Sequence, residues 1–326
     1  MKNSKFKKID REKSSAKSRV LKMSRRNVEK AKASGKYILC LVIAILFWGI
    51  TPVVFKILLK VSKGINALNT SFFLTSVTAI VLFPFGLRKK IEKRKKGVLR
   101  KKPLKEFIFQ CLVLSITGGV FSIYFFYKAV AELPAAIAMI INYTWPLLII
   151  IFSYALLKEK IGKLELAGII SSFLGVVFIS GIINGKSNIP LLAVCYALLG
   201  ALGWSLYSVM LKKFNFDVEE NFWIIMGLAA LIFLLFSPSI KSLSSLLYLI
   251  LFAFLTTTIP YTLWSVASTK LESSKLGSIP YLTPVITIIT SYIFLGERMN
   301  ATEILGSALI FLGIVTVIFA QRKRGK

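Results

Sequence analysis

Residues Leu133–Ile179 read LPAAIAMIINYTWPLLIIIFSYALLKEKIGKLELAGIISSFLGVVFI, and residues Leu271–Val317 read LESSKLGSIPYLTPVITIITSYIFLGERMNATEILGSALIFLGIVTV. Laid over each other at a shift of 138 positions, without a gap, the two strings agree at 16 of 47 positions. Shared Leu and Ile mean little in apolar sequence. Shared Tyr143/Tyr281, Pro146/Pro284, Glu159/Glu297, Glu165/Glu303, Gly168/Gly306 and Gly175/Gly313 mean more, because each of these residue types has a specific structural use. The chain carries an internal duplication.

The duplication extends upstream at a different shift. Trp48 and Lys56 fall on Trp204 and Lys212 at 156 positions, and the excess of 18 equals the length of the basic insert Arg88–Lys105. One duplication plus one inserted loop in the first half accounts for both shifts.

Both copies are built from apolar runs. With 56% hydrophobic residues and a mean hydropathy of +0.72, the chain exceeds the composition of soluble domains. Runs of about 20 apolar residues recur with short polar breaks, as membrane-crossing helices require. The reading is an all-α integral membrane protein of ten transmembrane helices, at roughly 37–59, 67–87, 107–130, 134–157, 164–182, 189–211, 220–237, 244–268, 273–295 and 301–320. Span seven is the shortest. Five spans per half is an odd number, so the second half is expected to be inverted relative to the first, as in many secondary transporters. The expected organisation is a basic, disordered tail over 1–36, a first five-helix repeat over 37–182, a second over 189–320, and a basic end over 321–326.

Charge supports this topology. With both termini on the cytoplasmic side, 36 Lys and Arg fall inside and 6 outside, with Lys56 unassigned at the outer end of span one, where it is expected to snorkel to headgroups. The net charge of +29 is concentrated in the tail and in Arg88–Lys105, next to apolar runs. Membrane topology and anionic-lipid contact explain it without a nucleic-acid partner. The first apolar run is too long and lacks the cleavage pattern of a signal peptide. Cys40, Cys111 and Cys195 lie singly in apolar runs, so no disulfide framework or metal site is expected.

The strings Phe47-Trp48-Gly49-Ile50-Thr51-Pro52, Pro146 to Lys160, and Pro284 to Arg298 carry a family resemblance. Two halves, each with a Trp-bearing first helix, a Pro-bearing fourth helix, a Glu-containing turn and a Gly-x6-Gly fifth helix, resemble the EamA-type family of the drug/metabolite transporter (DMT) superfamily. That resemblance implies a ten-helix fold with a central cavity lined by helices one, three, four, six, eight and nine. It also implies export or facilitated passage of small metabolites across a cell (inner) membrane. Asn142-Tyr143-Thr144-Trp145-Pro146 is similar to a signature of the aromatic amino-acid exporter branch, which more usually has Leu at the place of Thr144. This implies amino acids, aromatic ones included, as substrates.

Candidate site residues follow from polar and irregular positions inside spans. Pro146 lacks an N–H and frees the carbonyl of Asn142, so span four is expected to bend there. Asn142 then reads either as a substrate-facing donor or as an interhelix tie. Pro280 and Pro284 repeat the device in span nine, and Pro52 interrupts span one; these four prolines are the candidate kinks for gating. Trp48, Tyr124, Tyr127, Tyr143, Trp145, Trp204, Tyr207, Trp264 and Tyr281 are candidates for an aromatic cage, against the alternative of packing and interfacial belts. The repeat places Trp48 and Trp204 at equivalent positions. Gly168/Gly175 and Gly306/Gly313 each lie seven apart and are expected to pack helices closely. Glu159 and Glu297 are expected to cap turns or bind loop basics.

Absences narrow the chemistry. No histidine occurs, and the 14 acidic residues lie in the tail, loops or span ends, so the usual proton carriers are missing at mid-membrane. Serine–histidine and zinc-peptidase chemistry are excluded with histidine, and no cofactor is expected. Gly181–Ser187 faintly suggests a phosphate loop but is one residue short between its glycines. The expected function is small-metabolite transport by alternating access. The alternatives are a lipid-linked or nucleotide-sugar carrier, which needs cavity bases where no Lys or Arg sits mid-span, and a membrane scaffold that uses the basic tail.

Overall fold

The computed structural model describes residues 35–62, 64–98, 102–158, 162–180, 189–236, 238–239, 242–268, 280 and 282–324. The expected tail over 1–34, the Gly181–Ser187 loop, Glu159 and Tyr281 lie outside these residues. The described residues form ten helical runs: α1 Gly35–Val61, α2 Ala67–Lys95, α3 Leu104–Glu132, α4 Ala135–Leu157, α5 Lys163–Ser180, α6 Leu191–Phe214, α7 Val218–Leu234, α8 from Leu243 to Ser268, α9 Leu282–Leu295 and α10 Ala301–Arg324. Seven are long and apolar enough to cross a membrane, while α5, α7 and α9 are 18, 17 and 14 residues long as described. The bundle is apolar outside and buries hydroxyls among the apolar side chains of its core. Thr70, Ser71, Thr75, Thr78, Ser115 and Ser205 are fully buried, whereas Ile80, Phe85, Phe173, Leu235, Ile293 and Phe294 are exposed. That is the arrangement a hydrocarbon solvent selects.

The halves are inverted copies. α5 and α10 pack so closely that a Cβ on Gly168 would lie 2.5 Å from the carbonyl of Gly313, and one on Gly175 would collide with the carbonyl of Gly306. Gly168 is the counterpart of Gly306 and Gly175 of Gly313, so the contacts are exchanged, as a two-fold axis between antiparallel helices demands. Between them Ser171 donates to Leu309 and Ser172 to Ile310, each at 3.0 Å and each exactly one repeat length away. The expected glycine packing is present.

Helix ends repeat the same symmetry. The Asn300 N–H donates to Glu303 at 2.8 Å and the Glu303 N–H to the Asn300 side chain at 2.9 Å, a reciprocal cap at the start of α10. At the equivalent start of α5 the Gly162 N–H donates to Glu165 at 2.6 Å. α4 ends on Lys158 with φ 58°, and its counterpart after α9, Gly296, has φ 68°.

Two expectations need correction. The insert Arg88–Lys105 is not all loop, because α2 continues to Lys95. Lys89 pairs with Glu219 at 3.5 Å and Lys93 with Asp217 and Glu220, so the start of α7 neutralises two lysines of the extension, and basic residues in its last turn suit the helix dipole. Lys56 does not snorkel: it lies 3.2 Å from Glu297, with its side chain 20% exposed. Glu297, expected to cap or to bind loop basics, accepts the N–H of Ala135 at 2.7 Å and so caps α4 of the other half.

Candidate functional site

Two helices lose regular winding at matching places. α3 passes through a π-helical turn over Ser115–Phe121 and α8 through one over Phe254–Thr258. Shifting the first by the repeat length of 138 gives 253–259, which contains the second. Gly118-Gly119 loosens α3, and Pro260 withdraws a donor just after the turn in α8. π-Turns of this kind concentrate at functional sites. Tyr127 of α3 packs edge-on against Phe252 of α8 at 5.7 Å, just before the second turn, which joins the two irregular regions across the halves. Ser115 Oγ in the first turn and Thr283 Oγ1 beside Pro284 are buried hydroxyls with no hydrogen-bond partner among the described residues.

An aromatic cluster lies beside the turn in α8. Trp48 of α1 meets Tyr261 edge-on at 5.5 Å and Trp264 at 5.5 Å. Trp204 of α6 meets Tyr261 edge-on at 6.0 Å and Tyr207 at 5.3 Å, and Phe222 of α7 stacks on Tyr261 at 5.3 Å. Tyr261 therefore stands between the two tryptophans that the repeat makes equivalent. Tyr207 is buried in the space that Gly118 leaves open, so α3 borders the cluster too.

The carbonyls of the two tryptophans differ in their bonding. Pro52 removes the donor for the Trp48 carbonyl, and its counterpart Ser208 places its hydroxyl 2.8 Å from the Trp204 carbonyl. Each first helix then packs on the fourth helix of the opposite half. Gly49 lies against Ile286 and its carbonyl accepts the Thr287 hydroxyl at 2.6 Å, tying α1 to α9. Ser205, the counterpart of Gly49, donates to the Trp145 carbonyl at 2.9 Å, tying α6 to α4.

Of the predicted site residues, the fold brings Trp48, Trp204, Tyr207 and Trp264 together. Tyr124 packs elsewhere, against Phe125 and Phe233, and Tyr127 packs against Phe55 and Phe252. Tyr143 and Trp145 form their own pair at 6.0 Å on α4, with the Tyr143 hydroxyl donating to the Pro280 carbonyl at 3.0 Å. Asn142 donates to the Ala197 carbonyl at 3.3 Å, a contact between α4 and α6. α4 breaks into Ala135–Asn142 and Trp145–Leu157, with Pro146 in the first turn of the second piece, where its missing N–H is harmless. Pro284 is likewise the third residue of described α9.

Tyr261 and Phe222 were not among the expected residues. The counterpart of Tyr261 is Ile123, so the repeat gives no sign of it, and the only cue is the Pro260-Tyr261 pair within an apolar span.

A family model described as the EamA-like transporter family matches the chain twice, over residues 35–181 and 191–319. The chain is similar to the uncharacterized transporter YoaV of Bacillus subtilis, at 26% identity over 88% of this chain and 99% of that one. It is similar to the protein RarD of Escherichia coli, at 22% over 91% and 99%, and to the aromatic amino acid exporter YddG of Ancylobacter novellus, at 29% over 63% and 75%. A solved structure superposes with a TM-score of 0.57 at 22% identity, covering 88% of this chain and 97% of that chain, which supports the fold alone.

Proposed function

Because the chain belongs to the EamA-like transporter family, we propose that it exports or facilitates passage of small metabolites, aromatic amino acids among them, through a site between its inverted halves. One observation carries this reading: Tyr261 is held between Trp48 of one half and Trp204 of the other. Aromatic faces in contact are easily exchanged for contact with a flat, partly apolar substrate, at separations the rings already adopt. Rocking one half against the other parts Trp48 from Tyr261 and opens the cluster to one side. The likeness to a protein named as an aromatic amino acid exporter supports the substrate class.

The remaining features fit the same cycle. Glu297 joins α1 through Lys56 and the start of α4 through Ala135, so it latches the end of the bundle away from both termini. The Lys and Arg distribution supports both termini in the cytoplasm and an inner-membrane location, which puts the latch on the outer face. With no histidine and no mid-span carboxylate, passage down a gradient is the expected mode, without catalysis. A carrier of phosphorylated sugars would need bases in the cluster, whose members are aromatic and hydroxylic.

Flux of labelled phenylalanine, tyrosine and tryptophan from proteoliposomes, with and without a pH gradient, tests the proposal. Saturable flux independent of the gradient is expected. Absence of flux for all three removes the substrate class. Retention of flux after deletion of residues 1–34 separates transport from a scaffold role for the tail.

A further inference from the structure

α2 is 29 residues long, or about 43 Å at the usual rise, against a hydrocarbon core of roughly 30 Å. Counted from Ala67, about 20 residues cross the core and bring the helix out near Leu87. The remainder, Arg88–Lys95, stands at headgroup level at the most basic end of the bundle.

The helix rotation of 100° per residue sorts this extension into two faces. One carries Gly86, Lys89 and Lys93 and is committed to α7. Gly86 has no room for a Cβ beside Trp223, and the two lysines pair with Glu219, Asp217 and Glu220. Lys102, nearby in sequence, is also committed, to Gln110 at 2.8 Å and the Phe214 carbonyl at 2.6 Å. The adjoining face carries Phe83, whose ring also meets Trp223 of α7 edge-on at 4.9 Å, then Leu87 and Ile91, all exposed, with Arg88 and Lys95 beyond them. These residues line an open groove of about 460 Å³ together with Pro84 and Glu92. Glu92 lies 3.6 Å from Arg88, but both side chains are well exposed, and such a pair holds the guanidinium only weakly.

We propose that this groove binds an anionic phospholipid, with the headgroup phosphate on Arg88 and Lys95 and an acyl chain along Phe83 and Leu87. The apolar residues precede the basic ones along the helix, in the order in which a lipid passes from chain to headgroup. Guanidinium and ammonium groups spaced two turns apart suit one phosphodiester and its substituents. Of the four basic residues on the extension that α7 leaves unpaired, the site uses Arg88 and Lys95, and Lys90 and Arg94 lie outside it.

The test is native mass spectrometry of the full chain in detergent, counting retained phosphatidylglycerol against phosphatidylcholine. Arg88→Gln/Lys95→Gln is compared with Lys90→Gln/Lys96→Gln, which removes the same charge from other sides of the helix. Wild type is expected to prefer phosphatidylglycerol, and the first variant to weaken that retention by about tenfold or more, from two lost lipid–cation contacts. The control pair keeps the preference, and both variants melt like wild type in the absence of lipid. Equal loss in both pairs would mean a diffuse basic field and overturn the site. So would displacement of the lipid by inorganic phosphate, or a dimer that dissociates in the first variant without retaining lipid.

Discussion

Ser172 donates its hydroxyl to the carbonyl of Ile310 at 3.0 Å, and Ile310 is the residue that the repeat makes the counterpart of Ser172 itself. A residue meets its own copy only on a symmetry axis. The bond therefore fixes where the two-fold axis of the inverted halves crosses the α5–α10 pair, with the exchanged contacts of Gly168 with Gly313 and Gly175 with Gly306 on either side.

Symmetry about that axis makes a paired prediction. Gly168→Leu and Gly175→Leu each drive a side chain into the backbone of α10, and overpacking of this kind costs about 1–3 kcal/mol or more. Thermal unfolding in detergent should fall by similar amounts for the two variants. A large loss in one and none in the other would contradict close packing on both sides of the axis.

The latch at Glu297 makes two contacts with different needs. Glu297→Gln retains an acceptor for the Ala135 N–H but loses the charge that Lys56 requires, whereas Glu297→Ala loses both. The alanine variant is expected to be the less stable of the two by about 1 kcal/mol, the usual worth of a helix cap. In a double-mutant cycle, Lys56→Met should cost less in the Glu297→Gln background than in wild type. Additive costs would show that the ion pair contributes nothing.

Lys158 occupies the left-handed region at φ 58° while its counterpart Gly296 has φ 68°. A side chain in that conformation costs about 1 kcal/mol relative to glycine. Lys158→Gly is therefore expected to stabilise the protein and Gly296→Lys to destabilise it, each read as a shift in the melting transition.

Asn142 ties α4 to Ala197 of α6, so Asn142→Ala should lower stability by roughly 0.6–2 kcal/mol, the measured range for interhelical bonds in membranes, and leave the apparent KM for transport unchanged. A rise in KM with unchanged melting would instead assign Asn142 to the substrate.

The ten helices and their inversion were legible because polar breaks, charge and repeated Tyr, Pro, Glu and Gly residues all constrain a chain in hydrocarbon. Trp48 and Trp204 were legible through the repeat. Tyr261 was not, since its counterpart is Ile123 and an isolated tyrosine in an apolar span has no periodic signal. The π-turns left only indirect marks, Gly118-Gly119 in one half and Pro260 in the other. The pairing of Lys89 and Lys93 with Asp217, Glu219 and Glu220, more than 120 residues away, could not be read from local charge.

The central claim is that transport runs through the contact of Trp48 and Trp204 with Tyr261. The most direct measurement is efflux of labelled aromatic amino acids from proteoliposomes containing Trp48→Ala, Trp204→Ala or Tyr261→Ala, each reconstituted to the same density and matched for melting temperature. All three are expected to reduce flux by about tenfold or more, the effect of losing an interaction worth at least 1.4 kcal/mol. Wild-type flux in all three variants would contradict it and place the pathway elsewhere in the bundle.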